Sequence, residues 1–410
     1  MSYPRLMTAL ILSFALPVCA FAQEQDSYSE RYNLEIHLGG FMDRLYNVMT
    51  QPQWLGKHKE VAGTANMLKQ LGVFNLENVQ AEYVVDNGQV AVHCAKHYQD
   101  LPAESYLGQL YALPNKPLEL AGYVPADALL YVGLNNVPQQ ALLAAKKLSE
   151  VAAADKERGG LLSDAFGDAD LAQVFGMLDA FNVEQQVNDV LTGEIGLAVF
   201  DTPSIQDLNG DFGPQDISAA VLIGVKDAGR LKQLIAMAGN GAPLAPMEGD
   251  MGGWSGWYIT EPGAEGAGLM LSENLLFISP NVQNAVAHFD FGGQAQAIPA
   301  CQAYFDLNVS RLQDGLVGPG LEALMGEAPV DLTPTKDAAR YLFALPPSDA
   351  LGHIRAVTIY DNGYESALTM NTALANYLFY YVGVGTSAMA QSEMASNDDE
   401  AETDDGEDGE

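Results

Sequence analysis

Ile354-Arg355-Ala356-Val357-Thr358-Ile359-Tyr360-Asp361-Asn362-Gly363-Tyr364-Glu365-Ser366-Ala367-Leu368-Thr369-Met370 is the stretch that decides the fold. Two strand-length runs, rich in β-branched and aromatic residues, flank Asn362-Gly363. An Asn-Gly pair is the strongest two-residue hairpin signal, because both central residues of that turn need positive φ. The same device stands near the other end of the chain, where Ala81–Val85 and Gln89–Cys94 meet at Asn87-Gly88. A third hairpin spans Gly268–Ser279 and turns near Ser272-Glu273-Asn274. Leu129–Leu134, Ile195–Phe200 and Ala219–Val225 are further strand-length apolar runs, and the last two read as covered on both faces.

Helical periodicity fills the intervals. Residues 28 to 76 read as helical, with Val61, Ala65 and Leu68 on one stripe and Gly72 as a stop. Gln139–Val151 and Leu171–Leu191 carry helical stripes, and Leu231, Leu234, Ile235 and Ala238 form another that Gly239 ends. Ser279 is placed to cap a helix with Pro280 in its first position, and an apolar helix follows Thr372. The fold class is therefore α+β: a mostly antiparallel sheet with packed helices and a helical N-terminal extension. Pro125-Ala126-Asp127-Ala128-Leu129 is echoed by Pro347-Ser348-Asp349-Ala350-Leu351, which leaves room for a duplicated unit.

The chain divides into a signal peptide (1–22), a helical segment plus hairpin (23–115), a main α+β domain (116–390) and a disordered acidic tail (391–410). Residues 99 to 124, with Pro102, Pro114 and Pro117, read as a linker. The signal rests on Arg5, the apolar run Leu6–Val18 and Ala20-Phe21-Ala22 before Gln23. A run of that length is too short to span a bilayer, and no other stretch is long enough. Lipidation at Cys19 is the competing reading of the same region, disfavoured by the size of Val18. The expected location is periplasmic or secreted. Cleavage would leave Cys94 and Cys301, and an even pair in an oxidising compartment suggests a disulfide, with two free thiols as the alternative.

Of 410 residues, 53 are acidic and 19 are Lys or Arg, for a formal net charge of −34. Such a surface is repelled by phosphate backbones, which argues against nucleic-acid binding. With 48% hydrophobic residues the chain nonetheless has material for a core.

Tyr123–Gly133 with its Pro125-Ala126-Asp127, then Thr192-Gly193-Glu194-Ile195, then Ala220–Val225 followed by Lys226-Asp227, resembles an exported bacterial family built on a domain of unknown function. The resemblance spans about residues 120–290. It implies an exported α+β protein and brings no catalytic residues with it.

Candidate sites are sparse. Asp207-Leu208-Asn209-Gly210-Asp211 spaces oxygen ligands as a calcium loop begins, but an EF-hand needs Gly where Phe212 stands and Glu where Ser218 stands. A looser, low-affinity calcium site completed by Asp201 and Asp216 is the one metal reading left, against a solvated loop joining two strands. His93-Cys94-Ala95-Lys96-His97 cannot converge on one metal from a straight strand. Gly383–Ala388 matches a dinucleotide fingerprint but follows a helix instead of opening a βαβ unit, and Gly318-Pro319-Gly320 reads as a helix entry. Trp254, Trp257 and Tyr258 are either strand packing or an aromatic surface. No H-E-x-x-H, G-x-S-x-G, P-loop or S-x-x-K pattern occurs. These features favour a soluble exported protein without enzymatic activity, needing no cofactor and binding an unknown protein or small ligand. The alternatives are an exported hydrolase assembled from distant loops and a calcium-binding protein using the 201–216 loop.

Overall fold

The three expected hairpins form, and the Asn87-Gly88 pair sits at its turn as expected. Strand β2 (Leu76–Asp86) returns as β3 (Gln89–Tyr98), with Asn87 at φ 47° and Gly88 at φ 74° between them. β12 (His353–Tyr360) returns as β13 (Gly363–Asn371) with a different register: Tyr360 pairs with Tyr364, so Gly363 lies in the strand and not in a two-residue turn. β9 (Gly268–Leu271) returns as β10 (Leu275–Ser279), and the Ser272 hydroxyl accepts the Leu275 N–H across the turn at 3.1 Å. The computed structural model that shows this describes residues 29–51, 59–156, 183–201, 216–239, 244–248, 253–289, 298–320 and 345–381 (positions 263, 265, 362 and 379 excepted), together with Ala323, Asp337 and Arg340. The parts of the expected helix 171–191 before Val183, the Gly383–Ala388 match and the acidic tail lie outside the described residues.

Among the described residues thirteen strands form one open sheet, ordered β1-β2-β3-β13-β12-β11-β4-β5-β6-β10-β9-β8-β7. The remaining members are β1 (Glu30–His37), β4 (Leu130–Leu134), β5 (Leu191–Val199), β6 (Ala219–Val225), β7 (Leu244–Pro246), β8 (Ser255–Ile259) and β11 (Ala303–Asn308). Every neighbouring pair is antiparallel. With helices packed on it, this is an α+β fold. The N-terminal hairpin belongs to the same sheet as the C-terminal one, because β3 pairs with β13 along Gln89–His97.

The N-terminal extension is not wholly helical. Residues 30–37 form β1 before α1 (Gly39–Met49) and α2 (Lys59–Leu71). Tyr32, Leu34 and Ile36 alternate with Arg31, Asn33 and Glu35, a period of two that belongs to a strand. Ala65 and Leu68 of α2 do pack on Met42 and Phe74, and Gly72 ends that helix at φ 88°.

Nor is 99–124 a free linker. Short helix α3 (Tyr106–Tyr111) is capped by Ser105, and Leu118, Leu120, Ala121 and Val124 lie buried over the sheet. They join Tyr131, Ala198, Leu222, Leu275, Phe277 and Tyr304, together with Val282, Ala285 and Phe289 from a helix and its end, in the main core. That helix, α7 (Val282–His288), follows α4 (Val137–Lys156), α5 (Val183–Val190) and α6 (Ala228–Gly239) in chain order. Its cap is Asn281, whose Oδ1 accepts the Asn284 N–H at 3.1 Å. Ser279 instead ends β10, with its hydroxyl donating to the buried Ala219 carbonyl at 2.7 Å. Pro280 therefore precedes the helix.

β5 and β6 are not covered on both faces. Ala198 and Leu222 are buried, while Leu197 and Val221 stand 41% and 37% exposed opposite them. At the far end of β6, Leu231 and Ile235 of α6 cover Val225, Leu271 and Leu276.

The short echo resolves into two matching turns. The Ala128 N–H donates to the Pro125 carbonyl and the Ala350 N–H to the Pro347 carbonyl, each at 3.0 Å, and a strand follows each turn.

Candidate functional site

α8 (Val309–Leu312) starts at Asn308, whose Oδ1 accepts the Arg311 N–H at 3.0 Å. It runs on into a π-helical turn, Gln313–Val317, and residues 318–320 continue the helical run. Gly318-Pro319-Gly320 therefore sits within a helix and does not open one. π-turns are rare and frequently mark functional sites, because the widened turn displaces side chains from their regular stations. Facing this turn is the helical stretch after Asn371, whose Oδ1 accepts the Ala373 N–H at 2.8 Å. Tyr377, Tyr380 and Tyr381 share one side of it through their i, i+3, i+4 spacing. The third wall is Leu345-Pro346-Pro347-Ser348, where the Tyr377 hydroxyl donates to the Pro346 carbonyl at 2.7 Å. Val309, Leu351 and Tyr377 form a small core that fixes the three walls together.

Between them lies a cavity of about 430 Å³, lined by the three tyrosines, Gln313, Asp314 and Arg340. The Tyr377 and Tyr381 rings stand 6.2 Å apart and those of Tyr380 and Tyr381 5.3 Å, edge to face. Tyr381 donates to Gln313 Oε1. Tyr380 is buried, and among the described residues its hydroxyl meets no hydrogen-bond partner. Burial pushes the Tyr381 phenol up to about 12, so it is neutral at pH 7. Burial also raises Tyr377. The Asp314 charge raises it further and the Arg340 charge opposes that, so both charges act on one phenol. The cavity is thus lined by aromatic side chains, an amide, an anion and a cation. It can bind a polar molecule.

Two other polar clusters are closed upon themselves. Asp306 accepts from Arg355 Nε at 3.0 Å and Tyr304 Oη at 3.1 Å, and lies 2.6 Å from His353 Nδ1. Glu194, the Glu of the Gly-Glu-Ile run, is buried in the sheet and accepts the backbone N–H groups of Glu119 (3.0 Å) and Leu120 (2.8 Å). Gly193 beside it adopts φ 92° where the β5–β6 register slips, a conformation that favours glycine. Burial pushes the Glu194 carboxyl up to about 7 against those two bonds.

Of the calcium candidates, Asp207, Asn209 and Asp211 lie outside the described residues. Asp201 accepts from Arg311 Nη2 at 3.2 Å, so a cationic side chain occupies its vicinity. Asp216 stands just ahead of β6. No cluster of His, Cys, Asp and Glu able to hold a metal occurs among the described residues.

Cys94 and Cys301 are free thiols and not a disulfide. Cys94 is on β3 and Cys301 just precedes β11, with β13 and β12 between. Three strand spacings amount to about 14 Å, beyond the reach of about 7 Å that a disulfide allows. Burial, and then Glu194, push the Cys301 thiol up to about 11, which makes it inert. Trp254 packs edge-on to Phe289 at the main core, and Trp257 joins the cluster beneath α6, so the aromatic pair serves packing.

The trace of the tyrosine cavity in the sequence is the i, i+3, i+4 spacing of Tyr377, Tyr380 and Tyr381 within the apolar helix after Thr372.

No known family profile matches the chain, and no curated protein matches it either. Crystal structures of TP0453 are similar in part: forms IV, III and I share 9% identity with TM-scores of 0.28, 0.27 and 0.26. The match with form IV covers 65% of this chain and 96% of that one. Likeness at that level carries no argument here. Among the described residues no helix is long and apolar enough to cross a membrane.

Proposed function

We propose that this chain is an exported, non-enzymatic binding protein whose tyrosine cavity takes a small zwitterionic molecule of the amino-acid or short-peptide class. The observation that carries the reading is the lining of that cavity, which brings Asp314 and Arg340 together with Tyr377, Tyr380 and Tyr381. A cavity of about 430 Å³ falls in the size range of small-molecule sites. Asp314 and Arg340 match an ammonium and a carboxylate on one ligand, and the tyrosine faces attract the ammonium end further. Export is supported by the signal-like residues 1–22, and the site offers binding groups without an activated nucleophile.

Thermal melts and calorimetric titrations with free amino acids, dipeptides and neutral sugars test the reading. Zwitterions should raise Tm, and Asp314→Asn and Arg340→Ala should each abolish that rise while leaving the unliganded Tm unchanged. A response to sugars alone, or to none of the panel, defeats it. Turnover of chromogenic esters or peptides by the homogeneous protein would defeat its non-enzymatic half.

A further inference from the structure

The edge strand β1 carries its own pairing code. In its ladder with β2, the Leu38 N–H donates to the Glu77 carbonyl at 2.6 Å in register with the Glu30–Val85 pairing. Antiparallel ladders alternate, so the even residues of β1 spend their backbone groups on β2. Arg31, Asn33, Glu35 and His37 turn theirs to the outer edge. Among the described residues no strand lies beyond that edge. Sheet edges are normally guarded by charged side chains, proline or a bulge, and the charges of β1 on its outward-paired residues, Arg31 and Glu35, are of opposite sign and so can match across a pair of edges. β1 has no proline or lysine and pairs with β2 without a register shift. Its even side chains, Tyr32, Leu34 and Ile36, stand 50%, 59% and 45% exposed on one face.

We propose that β1 is a homodimer interface, in which two copies of the chain pair β1 against β1 in antiparallel fashion about a two-fold axis through Asn33. A two-fold perpendicular to the sheet keeps each face on its own side and demands that outward-facing residues pair with outward-facing residues. Centring on Asn33 meets both demands. It sets Arg31 opposite Glu35 of the second copy, and Glu35 opposite its Arg31, so the charges match at both ends. On the other face it sets Tyr32 beside Leu34, joining the two exposed stripes into one buried patch. The next register along sets Arg31 against His37 and forfeits both ion pairs. Arg31 now bonds Glu82 at 2.8 Å, and Glu35 accepts from Gln80 at 3.1 Å, so both charges are already held upright on the polar face. The dimer makes one continuous sheet with β7 at either end.

The test is sedimentation velocity on the full mature chain. Wild type should run at twice the monomer mass. Arg31→Glu and Glu35→Arg should each run as monomers, and the double reversal should restore the dimer. Asn33→Pro, which removes an outward N–H and no β1–β2 bond, should be monomeric with an unchanged Tm. Asn33→Cys should form a disulfide-linked dimer on mild oxidation, because hydrogen-bonded pairs put the two Cα atoms about 5.5 Å apart. Wild type and His37→Cys should not cross-link. A monomeric wild type at the highest concentration reached overturns the proposal, whether the edge takes another protein's strand or none. So does a dimer that survives Asn33→Pro, or a double reversal that stays monomeric with wild-type Tm.

Discussion

β6 and β1 are strands of similar length in one sheet, yet they are stabilised by different means. β6 lies between β5 and β10, with Leu222 buried under Leu120 and Ala121 on one face and α6 covering the end of the other. β1 has one neighbour, and its apolar side chains face outward half exposed. In the centre, side-chain burial and cross-strand pairing act together. At the edge, the backbone ladder to β2 carries the strand, helped by a few side-chain bonds such as Arg31 to Glu82. A continuous apolar run announced β6 and an alternating one marks β1, and neither pattern says by itself what will cover the strand.

The largest test of that contrast is Phe277→Ala. Phe277 is 1% exposed and meets Phe289 edge-on at 4.9 Å. Removing a buried phenyl ring loses its transfer free energy and leaves a void, which costs about 3–5 kcal/mol. Urea unfolding should show that loss with an unchanged slope. A loss below about 1 kcal/mol would mean that the centre is not where stability is concentrated.

The second test concerns the carboxylate that ties the buried 118–124 segment to β5. Burial holds Glu194 at about 7 in the folded chain, against about 4.3 when unfolded. A raised folded value means that the stabilisation is complete below about pH 4 and is lost as pH rises through 7. The loss reaches up to about 3 kcal/mol. Unfolding free energy measured from pH 4.5 to 7.5 should fall with pH, and Glu194→Gln should flatten that portion of the slope. The net charge of −34 adds a slope of its own, which the variant retains. Equal slopes in both proteins would show that Glu194 titrates normally and that the segment is held by apolar contact alone.

How much of this was legible follows from the range of each interaction. The Asn87-Gly88 and Asn362-Gly363 turns are local signals, and the strands on either side came out in place. The alternation of Arg31–Ile36 was just as local, but it sat in a region whose dominant period is helical. The irregular 99–124 segment looked like a linker because its prolines are local, while the acceptor that anchors its turn is Glu194, 74 residues away. The spacing of Cys94 and Cys301 along the chain carries no trace of the two strands placed between them. The tyrosine cavity depends on residues 313–314, 340 and 345–348 arriving beside Tyr377–Tyr381, which no single stretch encodes.

The smallest expected effect lies at the opposite pole from Phe277. Leu34 is 59% exposed, so Leu34→Ala removes little buried area and should change monomer stability by less than about 0.5 kcal/mol. Measured at low concentration, its urea midpoint should coincide with that of wild type. Amide exchange on the same strand supplies the backbone half of the contrast. The Tyr32, Leu34 and Ile36 N–H groups bond to β2 and should be protected, while those of Arg31, Asn33 and Glu35 should exchange freely in the monomer. Uniform protection along β1 at a dilution where the chain is monomeric would place a partner on the outer edge within the same molecule. A large cost for Leu34→Ala under those conditions would show that its face is covered. Either result would make the edge resemble the centre and remove the distinction between the two.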